Sequence, residues 1–365
     1  MGWIEEYIEY HKNLTDAPEE YAEVLALSLL GHAIGRDSIH PLKPFPIRHN
    51  IYVILLGEAG KSRKSTSINI AKEIAESYIY PSRFSPEALM DEFSAILRKA
   101  FDRRSYVSGT LELLSEVYDC PEELKRRTRS GGLVTARNLY VSLVACTTSE
   151  GFKSSIEPEA LKQGFLTRCI IIEPKKKKSR PRDYLNSEIY KQKMKLKNGL
   201  RFLKNKVIEF RFEKEAHELY NEYHDKLERK YRKKVEGGFL SRYQDYMIKF
   251  ADLYQLSDEI YNSQFSQNSQ VNKLTILVQE DNIIKSYKLI DRLLKNIMRI
   301  CEFCESSKLV LKVKTVLEKH GKCDRSKLLR YSHLTARELD IALETLLQSG
   351  EVVKDKEFYK LKRKI

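Results

Sequence analysis

The sequence predicts an α/β fold, and three observations carry that expectation. Residues 51–75 read as strand, loop and helix: a largely apolar run with three β-branched members, a glycine-containing loop, then apolar positions at helical spacing. Residues 139–146 and 169–172 are further short apolar runs, of the kind a parallel sheet buries on both faces. The last 60 residues pattern as three short helices and a two-stranded hairpin, a winged helix-turn-helix order. The predicted organisation is a helical preface over 1–45, an α/β core over 46–182, a helical lid region over 183–305 and a winged helix over 306–365.

In the preface, Trp3, Tyr7 and Tyr10 share one helical spacing, and residues 21–31 form a second helical run for which Pro18 is a suitable start. Prolines 41, 44 and 46 then break the chain, so this stretch is expected to pack on the core and not to form a domain of its own.

The loop after the first core strand is Gly57-Glu58-Ala59-Gly60-Lys61-Ser62-Arg63-Lys64-Ser65-Thr66. Such a loop aims backbone N–H groups and a helix N-terminus at phosphates, while Lys64 can reach the β/γ-phosphates of a nucleotide and Ser65 can offer its hydroxyl to Mg²⁺. Counted from Gly57, Lys64 arrives one residue later than in G-x-x-x-x-G-K-[ST], and Arg63 stands where the second glycine belongs. A rival register on Gly60-Lys61-Ser62 puts the first glycine at Leu55, inside the strand, so the Lys64 register is preferred. The bland alternative is a glycine turn ahead of a lysine-rich helix start.

Asp91 and Glu92 follow a short apolar run, and such a pair at a strand end suits nucleotide hydrolysis: Asp91 acts through Mg²⁺-bound water and Glu92 polarises the attacking water. A surface helix also carries Asp-Glu pairs, and only 27 positions separate Lys64 from Asp91, little room for an intervening strand. Residues 99–138 are polar, with Arg103-Arg104 and the run Lys125-Arg126-Arg127-Thr128-Arg129-Ser130-Gly131-Gly132; this is either a basic loop facing DNA or a solvated turn. The strand over 139–146 ends in Thr147-Thr148, where open α/β sheets bind ligands. Arg168 precedes the strand at 169–172 and is of the type that stabilises charge on a transferring phosphoryl group, sometimes from a neighbouring subunit.

Residues 175–182 read as a basic linker, and 183–305 as mostly helical and rich in Tyr and Lys. Cys301 and Cys304 form a lone CxxC at an expected helix end, a weak zinc signal without a second pair. In the terminal unit, helices are expected at 310–320, 325–331 and 335–349, the third capped by Thr335 with Glu338 three residues on, and a wing follows over 351–361. Residues 306–365 hold 15 basic and 8 acidic side chains, half of the chain's net charge of +14. That balance favours a polyanionic partner, DNA first, contacted through the third helix and wing; a Lys/Glu-rich thermophile surface is compatible with it, and a winged helix used only for protein contacts is the competing reading. Six cysteines do not suggest a disulfide framework, and the lack of a long apolar span or leader pattern suggests a soluble, cytoplasmic chain without membrane contact.

With these residues in order, the chain resembles a plasmid- and virus-associated P-loop ATPase family related to primase-helicases and, more distantly, to the minichromosome-maintenance AAA+ helicases. The resemblance spans roughly residues 20–260 and rests on Arg63-Lys64-Ser65-Thr66, Asp91-Glu92-Phe93-Ser94, the strand ending Ala145-Cys146-Thr147-Thr148, and Gly164-Phe165-Leu166-Thr167-Arg168. It implies a P-loop NTPase core of AAA+-like type with ATP and Mg²⁺ as cofactors. Lys64 and Ser65 would be the Walker A pair, with Gly57, Gly60, Arg63 and Thr66 around the nucleotide, and Asp91 and Glu92 would be Walker B, with Ser65 and Asp91 holding the metal. Thr148 would be a sensor, Arg168 an arginine finger acting on a neighbouring subunit of a homo-oligomeric ring such as a hexamer, and Arg242, within Ser241-Arg242-Tyr243-Gln244, a second sensor. No primase motif is present. The function implied is ATP-driven translocation on, or remodelling of, DNA, as in a replicative helicase of a mobile element; the rival is a nucleotide-gated DNA-binding protein with little or no turnover.

Overall fold

The computed structural model of the chain describes residues 1–75, 109–127, 132–156, 164–174, 179–181, 184, 186–204, 206–235, 238–261 and 273–362. It is mixed α/β, with several small sheets that include parallel strands. The chain divides into two compact units, one comprising Met1–Ser155 and Lys162–Ile297, the other Ile156–Leu161 and Met298–Ile365.

The first unit opens with α1 (Trp3–Leu14) and α2 (Glu19–Ala33). Trp3, Tyr7 and Tyr10 line one face of α1 and are all buried. Helix α2 is buried on most sides because it packs on α1, on the first core strand and on the helix that follows that strand. The proline-rich stretch is more than a break: β1 (Ile39–His40) and β2 (Ile47–Arg48) pair antiparallel within it.

Next come β3 (Tyr52–Gly57), α3 (Lys64–Ala75), α4 (Thr110–Tyr118), and the antiparallel pair β4 (Glu123–Arg127) and β5 (Leu133–Arg137). They are followed by β6 (Leu143–Thr148), α5 (Ser149–Ser155), α6 (Gly164–Thr167) and β7 (Cys169–Ile172). Strand β3 runs parallel to both of its neighbours in the order β6-β3-β7. All six residues of β3 and all four of β7 are buried, as continuous apolar runs require in a sheet covered on both faces. The second run is displaced from its expectation: residues 139–142 stand outside the strand, which begins at Leu143 and extends through the two threonines.

The region expected to be mostly helical contains α7 (Ser187–Leu203), β8 (Val207–Phe212), α8 (Lys214–Tyr231), α9 (Phe239–Glu259), β9 (Lys273–Val278) and α10 (Glu280–His320). Its two strands complete a sheet in the order β2-β1-β8-β9, with β1, β8 and β9 mutually parallel. Both strands alternate buried and less buried positions: Ile208 and Phe210 point inward in β8, and Leu274, Ile276 and Val278 in β9. Helix α10 carries no Gly or Pro between its ends, so Cys301 sits inside a continuous helix and not at a helix end.

The second unit contains the last part of α10, β10 (Cys323–Asp324), α11 (Arg325–Ser332), α12 (Ala336–Gln348), β11 (Val352–Asp355) and β12 (Phe358–Leu361). Its core gathers Val313, Leu328, Leu339, Leu343 and Tyr359. Gly321 adopts φ +68° and ends α10, and Thr335 and Glu338 form the reciprocal capping box that starts α12. Among the described residues, no helix is long and apolar enough to cross a membrane.

Candidate functional site

Strand β3 delivers the chain to its C-terminal edge at Gly57, and the loop 58–63 turns it into α3. Gly57 is there for space: a Cβ at this position would lie 2.4 Å from Ser62 Oγ and 2.7 Å from Tyr21 Oη. Gly60 (φ +69°) and Arg63 (φ +53°) both occupy the left-handed region. Arg63 thus adopts, with a side chain, a backbone conformation that glycine takes without penalty. Its side chain turns away from the loop and donates from Nε to Asp16 Oδ1 at 3.1 Å. Burial alone would raise the Asp16 carboxyl, but hydrogen bonds from Arg63, the Arg180 amide and Ser179 outweigh it and hold the group below the usual carboxylate range.

Lys64, the first residue of α3, is buried and folds back over the loop. Its ammonium donates to Gly57 O at 2.9 Å, Glu58 O at 3.1 Å and Ser62 Oγ at 3.4 Å. A cation held by loop carbonyls at the positive end of a helix marks a position where an anion is well received. Ser65 and Thr66 follow on the exposed side of the first turn. The Tyr21 hydroxyl donates to Leu56 O, and burial pushes its ionisation well above the ordinary phenol range. His11 meets Ser67 Oγ across 3.0 Å, which ties α1 to the same turn.

Thr148, the last residue of β6, is directly across the ladder from Gly57. Its Oγ1 accepts the Gly151 amide at 3.0 Å at the start of α5, leaving the hydroxyl proton for another acceptor. Glu173 lies just past the end of β7 and pairs with Lys153 at 3.0 Å. Gly57, Lys64 and Thr148 are thus brought to one edge of the sheet. Asp91 and Glu92 lie outside the described residues.

Arg168 stands at the other edge. Cys169, next to it, pairs with Tyr52 at the start of β3, five residues from Gly57, so roughly 17 Å of strand separates the two edges, more than an arginine side chain spans. Its guanidinium donates to Gly164 O and to Asp119 Oδ2, both at 2.8 Å. Arg242 on α9 joins it there, 3.7 Å from Asp119 Oδ1, and is not grouped with Lys64. Sequence reasoning missed Asp16, Tyr21, Asp119 and Glu173, which belong to no local motif and gain meaning only from their neighbours in space.

The chain also presents two basic surfaces. On the β4–β5 ribbon, Lys125, Arg126 and Arg137 are partly matched by Glu116 and Glu123, while Leu133 and Val134 stand exposed. In the second unit, α11 carries Arg325, Lys327 and Arg330 with no carboxylate in its own sequence, although Asp324 caps it and Arg325 pairs with Asp340 at 2.9 Å, whereas α12 carries Arg337 against Glu338, Asp340 and Glu344. Among the described residues, no cluster of three or more His, Cys, Asp or Glu is arranged to hold a metal.

No protein-family model matches the chain, and a search of curated proteins returns no match.

Proposed function

We propose that the chain is a DNA-binding, AAA+-like P-loop ATPase that acts in a homo-oligomeric ring and uses hydrolysis to translocate on or remodel DNA. The observation that carries this reading is the Lys64 ammonium, buried and directed into the loop between β3 and α3 with Thr148 beside Gly57 on the next strand. The order β6-β3-β7, with Arg168 at the far edge, supports it further, because an arginine there can serve a nucleotide held by a second copy.

In this mechanism the loop amides and Lys64 receive the β/γ-phosphates, and Ser65 and Asp91 are the residues that would hold Mg²⁺, which supplies charge neutralisation at the transferring phosphoryl group. Thr148 donates its hydroxyl proton near the γ-phosphate, and Glu92 orients the attacking water. The C-terminal unit is read as a winged helix; its charge distribution favours DNA contact through α11 and the β11–β12 hairpin over α12. A nucleotide-gated DNA-binding protein with little turnover is the second reading, favoured by Arg63 in the position of the second loop glycine.

The deciding measurement is ATP hydrolysis with and without DNA, beside Lys64→Ala and Glu92→Gln. DNA-stimulated turnover lost in both variants supports the motor. Nucleotide-dependent DNA affinity without turnover under any condition replaces it with the gated binder.

A further inference from the structure

Three cations surround Tyr118 at the edge of the sheet away from the Lys64 loop. The Lys249 ammonium lies 4.5 Å from the ring centroid, and the guanidinium carbons of Arg168 and Arg242 lie 5.8 and 6.0 Å from it. Lys249 is committed, buried and donating to Asn50 O at 2.8 Å and to the Tyr118 hydroxyl at 3.0 Å. The two arginines converge on Asp119, Arg168 Nη2 at 2.8 Å from one carboxylate oxygen and Arg242 Nη1 at 3.7 Å from the other. Among the described residues, Asp245 is the other carboxylate within reach, 3.9 Å from Arg242.

Asp119 is an insecure occupant of this site. It is half exposed, and it directly follows the last turn of α4, where the helix's negative end disfavours a carboxylate. The buried Nε of Arg168 has no hydrogen-bond partner among the described residues, so the carboxylate leaves that guanidinium incompletely used. A phosphate, with more oxygens and more charge, can engage both arginines more fully.

We propose that Arg168 and Arg242 form one anion-binding site and that Asp119 is its resident counter-ion, displaced by a phosphate group of the nucleotide carried on the Lys64 loop of a second copy. In the separated chain Asp119 occupies the arginines; assembly around nucleotide exchanges carboxylate for phosphate. This rests on the ATPase reading for the identity of the ligand, and the anion site itself can be tested apart from it.

The test has two arms on the full chain. In a Lys64→Ala background, which removes the loop cation, calorimetric titration with inorganic pyrophosphate compares Asp119 with Asp119→Asn and with Asp119→Asn/Arg168→Ala. Losing a competing charge-assisted bond of about 1.4 kcal/mol corresponds to about tenfold tighter binding in Asp119→Asn, and the Arg168 substitution should abolish the gain. In the second arm, with Lys64 intact, Asp119→Asn should reach half-maximal ATP turnover at lower protein concentration than the parent. Unchanged pyrophosphate affinity in Asp119→Asn, or turnover that falls as it does in Arg168→Ala, overturns the proposal and makes Asp119 a residue that merely holds Arg168 in place. Pyrophosphate results as expected with no ATP turnover in the parent chain keep the anion site and overturn its nucleotide ligand.

Discussion

Arg63 and Asp16 are joined by a hydrogen-bonded ion pair of 3.1 Å that ties the loop before α3 to the connection between α1 and α2. Arg63 reaches that partner from a left-handed backbone, so two opposing effects meet at one residue. The pair is partly exposed and contributes no more than about 1 kcal/mol. The backbone conformation is unfavourable for any side chain, by roughly 1 kcal/mol or more.

The first prediction separates these effects. Arg63→Ala loses the pair and keeps the strain, whereas Arg63→Gly loses the pair and relieves it. The glycine variant should therefore be the more stable by about 1 kcal/mol. Trp3, the chain's one tryptophan, is fully buried in the same unit, so its fluorescence during unfolding reports the difference. Equal stability of the two variants would show that the loop does not hold Arg63 in the left-handed region.

The second prediction concerns Asp252, fully buried on α9 between two histidines. His40 Nδ1 lies 3.0 Å from one carboxylate oxygen and His49 Nε2 lies 2.8 Å from the other. The network fastens β1 and the residue that follows β2 to the helix behind them. Asp252→Ala strands both imidazoles and should cost about 3 kcal/mol, between the usual penalty for a buried unsatisfied polar group and that for a broken buried ion pair. The Trp3 unfolding midpoint in urea measures it, and a loss under about 1 kcal/mol, the size of one ordinary hydrogen bond, would mean that the histidines find other partners.

These two sites differ in how far the sequence announces them, and the same contrast runs through the chain. Strands β3 and β7 were plain because a strand buried on both faces must be apolar throughout, and the Thr335–Glu338 cap because capping is decided by four consecutive residues. Strands β8 and β9 were hidden because each alternates buried and exposed positions for only six residues and is paired through a sheet whose other members lie at residues 39–48. Lys64 announced itself through its motif. Asp119 could not, since its meaning comes from Arg168 and Arg242, one 49 and the other 123 positions away. The local sequence of Arg242 resembles a second sensor, and α9 carries it to Asp119, beside Arg168 and away from the Lys64 loop of its own chain.

Asp245 gives a pH-dependent prediction. Burial and, secondarily, the nearby Asp119 raise its carboxyl above the ordinary range, against the opposing pull of Lys249 and Arg242. A carboxyl whose folded pKa exceeds its unfolded one weakens the fold where it must ionise. That penalty is absent when the group is protonated in both states, grows as pH rises through the ordinary carboxylate range, and is complete above the raised value. Asp245→Asn should accordingly gain stability relative to the parent as pH rises from about 4 to 7. Melting temperatures across that interval check the sign, and a gain that shrinks with pH would contradict it.

The last prediction concerns where DNA meets the second unit. Helix α11 exposes Lys327 and Arg330, and no carboxylate lies within the helix to offset them. On α12, Arg337 stands among three carboxylates, Asp340 is engaged by Arg325 at 2.9 Å, and Glu338 is held below the usual range by the backbone and side-chain hydrogen bonds of its cap, so it stays ionised. An acidic helix face repels a phosphate backbone and a basic one releases counterions from it. Affinity for duplex DNA should fall with salt, and replacing both Lys327 and Arg330 with Glu should lower the slope of log affinity against log salt by about 2, at roughly 0.9 for each phosphate that the protein no longer neutralises. Arg337→Glu should leave both slope and affinity nearly unchanged. Fluorescence anisotropy on labelled duplex across a salt series reads both quantities. A slope that drops in Arg337→Glu and holds in the α11 variant would assign DNA contact to α12 after all, and would leave the cations of α11 as an ordinary solvated surface.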